Sequence, residues 1–213
     1  MKRVYLVRHG QTAWNAEDRI QGWTRVGLDE TGRRQAEKLA AFLARSHPEI
    51  GLVASSDLPR ALDTAKTIVA TEPFTELSVR VDPAWRERNF GEFQGLDSST
   101  FFEEYPEYSI LDHGAAGANR TPKDGESYAE FDTRVVDAWT AFVETLPVDA
   151  ACLVAHSNVV RQIRAHIEGM NYREAITDID VANCSVTEIR VTDADASIGY
   201  RNRDSFLSDS VPE

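Results

Sequence analysis

This sequence has almost no sulfur chemistry to offer. It has two cysteines, Cys152 and Cys184, each inside an apolar strand-like run, and no cysteine or histidine pair with zinc spacing. The thiols read as small buried hydrophobes, and neither a disulfide framework nor a metal site is predicted. Also missing is any apolar run of about 18 residues, so no membrane span is expected. The opening Met1-Lys2-Arg3-Val4-Tyr5-Leu6-Val7-Arg8-His9 holds an apolar stretch too short for a signal-peptide core, and a cytoplasmic protein is expected. Positive charge is in deficit: 23 Lys and Arg stand against 35 Asp and Glu, for a net charge of −12, which argues against nucleic acid as a partner. A composition of 42 % hydrophobic and 27 % charged residues excludes a disordered or collagen-like chain. The full span 1–213 suits one α/β domain. The charge is uneven, however. Residues 1–60 carry ten basic and seven acidic side chains, a balance of +3, against −15 for the rest, so an anion site is sought in the first segment.

Short apolar runs alternate with helical periodicity. Val4–Val7 reads as a buried strand. Asp29 is the expected N-cap of a helix whose inner face is Ala36, Leu39, Ala40 and Leu43. Leu52–Ala54 is the second strand. The next helix is expected to be capped by Asp57, with Pro59 in its first turn and a stripe of Ala61, Leu62, Ala65, Ile68 and Val69. Leu77–Val81 is the third strand. From Gly95 to Gly125 the rhythm breaks: a short helix is predicted from about Ser98 to Tyr105, stopped by Pro106, and the remainder reads as loop. Ser127-x-x-Glu130 is a capping box opening a long helix with Tyr128, Phe131, Val135, Trp139, Phe142 and Leu146 inward. Cys152–Ala155 is the fourth strand, and the helix behind it stops at Gly169. Ser185–Val191 and Ser197–Arg201 read as an antiparallel pair around Asp193-Ala194-Asp195, and 204–213 as a frayed polar tail. The alternation predicts a three-layer α/β/α sandwich with a mostly parallel central sheet and one antiparallel strand. The segment at about 95–125 is then an insert that covers something.

In such a sheet, ligands bind beyond the carboxyl ends of the strands. Arg8-His9-Gly10 follows the first strand, Ser55-Ser56-Asp57-Leu58-Pro59-Arg60 the second, Trp85-Arg86-Glu87-Arg88 the third and His156-Ser157-Asn158 the fourth. One edge thus collects two histidines, at least two arginines and a glutamate. Guanidinium groups grip phosphate bidentately, and the helix after His156 adds a positive dipole end with free N–H groups. Two histidines in a phosphate pocket suggest nucleophilic chemistry: a neutral imidazole can attack phosphorus, arginines neutralise the transferring group, and a carboxylic acid such as Glu87 can protonate the leaving alcohol and later activate water.

The segment Leu6-Val7-Arg8-His9-Gly10-Gln11-Thr12-Ala13-Trp14-Asn15 resembles the signature of the histidine phosphatase superfamily, on its phosphoglycerate mutase-like branch. Further matches follow in family order: Gln21-Gly22-Trp23, Leu28-Asp29-x-x-Gly32, Ser55-Ser56-Asp57-Leu58-Pro59-Arg60-Ala61, Glu87-Arg88-Asn89-Phe90-Gly91, Gly125-Glu126-Ser127, Val154-Ala155-His156 and Asn183-Cys184-Ser185-Val186-Thr187. The resemblance spans residues 3 to 190. It implies that His9 is the phosphorylated nucleophile, with Arg8, Arg60 and His156 holding the phosphate. Asn15, Gln21 and Gly22 assist them, Glu87 is the proton donor, and the step needs neither metal nor other cofactor. Ser157 departs from the glycine many relatives carry after the second histidine; it is read as a helix N-cap or as a hydroxyl on the pocket rim, where it joins the phosphate-binding set.

The activity implied is a metal-independent phosphatase for small phosphomonoesters, acting on a phosphorylated metabolite as a monomer or homodimer, with no nucleic acid or membrane partner. The alternatives are a cofactor-dependent phosphoglycerate mutase and a non-catalytic phosphate-binding protein. Mutases of this branch tend to carry an adjacent Arg-Arg pair in a longer insert, whereas this insert offers isolated Arg120 and Lys123, which favours the phosphatase. His9 and Glu87 are both present, which disfavours the non-catalytic reading. Simpler roles are open for several residues. Asn15 and Gln21 can bond the loop backbone, and Phe101, Phe102, Tyr105 and Tyr108 can either line a substrate mouth or pin a small helix to the sheet. His113, Arg120 and Lys123 are the polar candidates of the insert, while His47, His166, Asn183 and Cys184 read as structural and Glu126 as first-turn charge.

Overall fold

The computed structural model describes residues 1–192 and 195–208, the side chain of Tyr172 apart. Its strands are β1 (Lys2–Arg8), β2 (Leu52–Ser55), β3 (Val79–Val81), β4 (Ala150–Ala155), β5 (Val186–Val191) and β6 (Ala196–Ile198). They form one sheet in the order β3-β2-β4-β1-β5-β6. The pairs β2–β3, β2–β4 and β1–β4 are parallel, while β5 runs against both β1 and β6 and is the single reversed strand. Alternation along the central strands supplies two cores. Val4 and Leu6 of β1 and Ala151 and Leu153 of β4 face one cluster with Phe131, Trp139 and Ile163, whereas Tyr5, Val7, Cys152 and Val154 face another with Leu39, Leu43, Ala61 and Ile68. The first core is covered by α6 (Tyr128–Thr145) and α7 (Ser157–Glu168), the second by α2 (Glu30–Ser46) and α3 (Pro59–Val69). This is the predicted three-layer sandwich. Among the described residues no helix is long and apolar enough to cross a membrane.

Several local expectations change. Leu58, not Asp57, is the N-cap of α3, and it makes no side-chain cap bond. Asp57 is instead held by Arg86 through Nε at 2.7 Å and Nη2 at 2.5 Å, a bidentate ion pair that outcompetes a single cap bond. Leu62 and Val69 are half-buried; the buried stripe is Arg60, Ala61, Thr64, Ala65 and Ile68. The segment after Pro106 is not loop. It contains a 3₁₀ turn at Pro106–Tyr108 and α5 (Ile110–Ala118), capped by the Ser109 hydroxyl and kinked where Gly114 adopts φ +53°. The two glycines hid this helix from propensity, yet Gly117 serves it: a Cβ there would come within 2.4 Å of the Ser109 carbonyl oxygen. Five elements of the described residues were not anticipated: α1 (Ala13–Ala16), capped by Thr12; 3₁₀ turns at Pro83–Trp85 and Gly91–Phe93; α8 (Tyr172–Thr177), capped by Asn171; and a 3₁₀ turn at Ser205–Leu207 in the supposed frayed tail. That turn is anchored because Phe206 stacks on Phe42, ring centroids 4.3 Å apart. The insert helix α4 (Ser98–Glu104) forms as predicted, capped by Asp97. β3 and β6 are shorter than expected, Cys184 lies before β5 rather than in it, at φ +55°, and both cysteines are buried and free. Positions 193 and 194 of the expected β5–β6 turn, and 209–213 of the tail, lie outside the described residues.

The loop after β1 packs backbone to backbone on the start of α2. A Cβ on Gly32 would stand 2.0 Å from the Gln11 carbonyl oxygen, and one on Gly10 would stand 2.5 Å from that of Gly32. Gly32→Ala should therefore destabilise the protein by about 2 kcal/mol or more, although alanine is better than glycine by about 1 kcal/mol in an open helix. Urea unfolding of the variant checks this; a midpoint at or above that of the parent would show that the loop yields freely.

Candidate active site

Parallel pairing puts the carboxyl ends of β1, β2 and β4 at one edge, and the Arg8↔Ala155 register sets His9 beside His156. Their rings meet edge to face with centroids 5.2 Å apart. The reversal of β5 brings its amino end to the same edge, where Cys184 N–H donates to the Arg8 carbonyl and Asn183 Nδ2 to that of His9, both at 3.0 Å. The turn at Gly10 is fixed from α3, because its N–H donates to Thr64 Oγ1 at 3.1 Å.

His9 is buried, and its partners define its tautomer. Nδ1 lies 2.7 Å from the Gly10 carbonyl oxygen, which can only accept, so Nδ1 carries the proton. Nε2 faces Arg60 Nε at 3.2 Å, which can only donate, so Nε2 presents a lone pair. Burial, then the charges of Arg60 and Arg8, hold the imidazole pKa well below its ordinary value. His156 is fully buried and held neutral in the same way, by burial first and the Arg60 charge second. Its Nε2 lies 2.9 Å from Ser56 Oγ, and its Nδ1 is buried without a hydrogen-bond partner.

Arg60 is only 1 % exposed, which disposes of a surface role. Besides His9 it donates to the Gly22 carbonyl at 2.7 Å and the Thr24 carbonyl at 3.0 Å. Gly22, at φ +51°, thus contributes a carbonyl that aims Arg60. Arg8 gives Nη1 to the Val181 carbonyl at 2.6 Å and leaves Nε buried and unpartnered. Burial brings both guanidinium pKa values down to about 10, helped at Arg8 by nearby Arg161. Glu87 sits opposite. Its Oε1 accepts from Arg88 N–H at 2.8 Å, and its Oε2 from Asn158 N–H at 3.2 Å and the Ser157 hydroxyl at 3.3 Å.

These groups open onto one cleft of about 340 Å³, room for a small metabolite. Arg8, His9, Asn15, Gln21, Gly22, Arg60, Glu87 and Ser157 all contact it, and His156 stands one layer behind, against His9. Ser157 lies on the wall but is not an N-cap: His156 holds the cap position, and the Ser157 hydroxyl is turned to Glu87 instead. The helix N–H at Asn158 is likewise taken by Glu87 rather than free. Asn15 and Gln21 contact the cleft, and the Thr12 hydroxyl lies 3.1 Å from Asn15 Oδ1 and 3.0 Å from Gln21 Oε1. Asn15 also bonds the loop backbone, accepting from Thr12 N–H at 3.2 Å, whereas the Gln21 side chain meets a side-chain hydroxyl rather than backbone.

The insert also divides. Phe101, Phe102 and Tyr108 contact the cleft, while Phe101, Tyr105 and Tyr108 cluster on Phe93. His113, Arg120 and Lys123 are not on the wall; Arg120 lies over the Tyr108 ring instead. Sequence reasoning missed the supports. Arg134 donates to the carbonyls of Ala84, Arg86 and Glu87 and pairs with Glu126, so Glu126 is a strut for the Glu87 loop rather than loose first-turn charge. It also passed over Arg88 and Arg161, both on the wall. The Thr12-x-x-Asn15 capping box was the one available signal for α1. Among the described residues no three His, Cys, Asp or Glu side chains are grouped to hold a metal.

Comparison with known proteins places the chain in a family. A family model for the histidine phosphatase superfamily (branch 1) matches residues 4–204. Phosphoglycerate mutase-like protein 4 of Arabidopsis thaliana is 33 % identical over 198 residues, covering 90 % of this chain and 80 % of that protein. The metal-independent phosphoserine phosphatase of the same plant is 33 % identical over 190 residues, covering 89 % and 76 %. Among solved structures, mycobacterial glucosyl-3-phosphoglycerate phosphatase in complex with VO3 superposes with a TM-score of 0.79 at 28 % identity, over 95 % of this chain and 99 % of that one.

Two histidines held neutral by burial carry a pH signature. The unfolded chain protonates them near pH 6.5, whereas the folded protein does so only well below that. The stability they allow is complete above pH 6.5 and falls as pH drops, by up to about 1.4 kcal/mol per pH unit for each histidine. Urea unfolding between pH 7.5 and 5.5 should show a shallower slope in His156→Gln than in the parent. Equal slopes would mean that folded His156 takes up its proton as readily as the unfolded chain.

Proposed function

The chain belongs to branch 1 of the histidine phosphatase superfamily and is a phosphatase-type enzyme; from that premise we propose that it hydrolyses small phosphomonoesters, without a metal, through a phosphohistidine on His9. The observation that carries this reading is the His9 tautomer: a neutral ring with its proton on Nδ1 and a lone pair on Nε2, facing the Arg60 charge inside the cleft. Nε2 attacks phosphorus and the bond to the alcohol oxygen breaks. Once Nε2 is bonded to phosphorus it no longer accepts from Arg60, so the Arg60 Nε–H turns to a phosphoryl oxygen, beside the open donors of Arg8. In this reading Ser56 donates to His156 Nε2, which leaves Nδ1–H for the same phosphoryl group. Asn15, Gln21, Gly22 and Ser157 complete the rim.

Protonated Glu87 gives its proton to the departing alcohol oxygen. The carboxylate that remains takes a proton from water as that water attacks phosphorus, which releases phosphate and restores His9. Chain 1–213 works as one unit, with 95–125 as its substrate cover, in the cytoplasm, on a small phosphorylated metabolite. Hydrolysis is favoured over mutase chemistry because Arg120 and Lys123, the isolated basic residues of the insert, stand off the cleft wall.

Rapid quench of the protein with a ³²P-labelled phosphomonoester, in buffer containing EDTA, should trap an acid-labile, base-stable label that is absent from His9→Ala. A label that persists in the variant, or that needs a divalent ion, would overturn the assignment. Glu87→Gln should slow esters of poorly leaving alcohols by about 10²–10⁴ and an activated aryl phosphate far less, because that leaving group hardly needs a proton. A linear free-energy series over leaving groups measures this; equal losses across the series would assign the proton to another group.

A further inference from the structure

Ser157 is the first residue of α7, one position after the cap His156, and its hydroxyl is turned to Glu87 rather than to the helix amides. It lies 3.3 Å from Glu87 Oε2, which also accepts from Asn158 N–H at 3.2 Å, while Oε1 accepts from Arg88 N–H at 2.8 Å. All three partners donate, an arrangement that suits a carboxylate. The acid form needs something else, because a proton on one of these oxygens must meet an acceptor. Two of the partners are backbone amides, which only give. Ser157 alone of the three carries lone pairs as well as a proton. Oε2 is the more loosely held oxygen, and 3.3 Å is slack for a hydroxyl bond, so the serine can rotate from giving to accepting.

Glu87 itself has little freedom. It is only 7 % exposed, both carboxylate oxygens are bonded, and its carbonyl is held by Trp23 Nε1 at 2.7 Å and Arg134 Nη2 at 3.3 Å. Ser157 and Glu87 both contact the cleft that holds His9. A fixed acid beside a hydroxyl that can turn forms a chain whose moving end faces the substrate.

We propose that Ser157 is a proton relay between Glu87 and the oxygen that leaves or attacks phosphorus. This rests on the reading of Glu87 as the acid. In the first half-reaction the Oε2–H bond breaks as its proton passes to Ser157 Oγ. The proton already on Oγ passes at the same time to the alcohol oxygen, which receives it on the electron pair of its breaking bond to phosphorus. The serine ends as a neutral hydroxyl, and Glu87 keeps the pair of its broken O–H bond as a carboxylate. In the second half-reaction Oγ takes a proton from the attacking water while handing its own to Oε2. The bond from phosphorus to His9 Nε2 breaks, and its pair returns to the imidazole. Because both protons move together, no serine alkoxide forms, and Glu87 and Ser157 end as they began.

A leaving-group series separates a relay from a structural serine. Ser157→Ala should slow esters of poorly leaving alcohols by about 10–100-fold and an activated aryl phosphate by a much smaller factor, so that the rate depends more steeply on leaving-group basicity than in the parent. Ser157→Thr keeps a hydroxyl on the same carbon and should recover most of the loss. Glu87→Gln combined with Ser157→Ala should be no slower than Glu87→Gln alone, to within about threefold, because a relay without its acid has nothing to carry. A Ser157→Ala series parallel to that of the parent, threonine no better than alanine, or a double variant whose loss is the product of the two single losses would overturn the proposal. If Glu87→Gln loses rate only on poor leaving groups while Ser157→Ala matches the parent, the relay falls alone and Glu87 remains the acid. If Glu87→Gln loses rate equally across the series, the acid falls and the relay with it.

Discussion

The arrangement depends on one constraint: a buried imidazole and a buried guanidinium cannot both be charged 3.2 Å apart. Because arginine does not give up its proton, His9 must, and the Gly10 carbonyl decides which nitrogen keeps the remaining one. Much of the surrounding fold maintains that pair. The Gly22 and Thr24 carbonyls aim Arg60, Thr64 fixes the Gly10 amide, and the amino end of β5 ties down the carbonyls of Arg8 and His9. Moving any of these would disturb His9 without touching it.

The fold was legible where hydrophobic period and strand–helix rhythm agree. The faces of α2 and α6, the buried β4 and the single reversed strand could all be read from residue spacing. Of the site, the residues that follow each strand could be read for the same reason, since topology alone brings them to one edge. What could not be read depends on competition between partners. Asp57 is a good cap in isolation, but Arg86 offers it two bonds. Ser157 is a good cap in isolation, but the helix begins with it, so His156 holds the cap position and the Ser157 hydroxyl donates to Glu87. Gly114 and Gly117 look like loop because propensity does not register a kinked helix whose turns pack against Ser109.

The supports of Glu87 were the least legible part. Arg134 lies 47 residues away on α6 and grips three carbonyls of the Glu87 loop, contacts that carry no side-chain signature. Trp23 Nε1 adds another bond to the Glu87 carbonyl at 2.7 Å. Carbonyl clamps of this kind tolerate many sequences in the clamped segment, so the segment does not advertise them.

The reversed β5 has a consequence for how the molecule is made. β1 leaves the ribosome before the other strands, but its partners in the sheet are β4, at residues 150–155, and β5, at 186–191. Its two edges therefore wait, unpaired, until those residues have been made, and the histidine at its end acquires Asn183 as a tether only 174 residues later. Such long sequence separations slow closure of the sheet. A fragment that ends before β4 lacks His156 and both neighbours of β1, and so cannot form the cleft at the end of that strand.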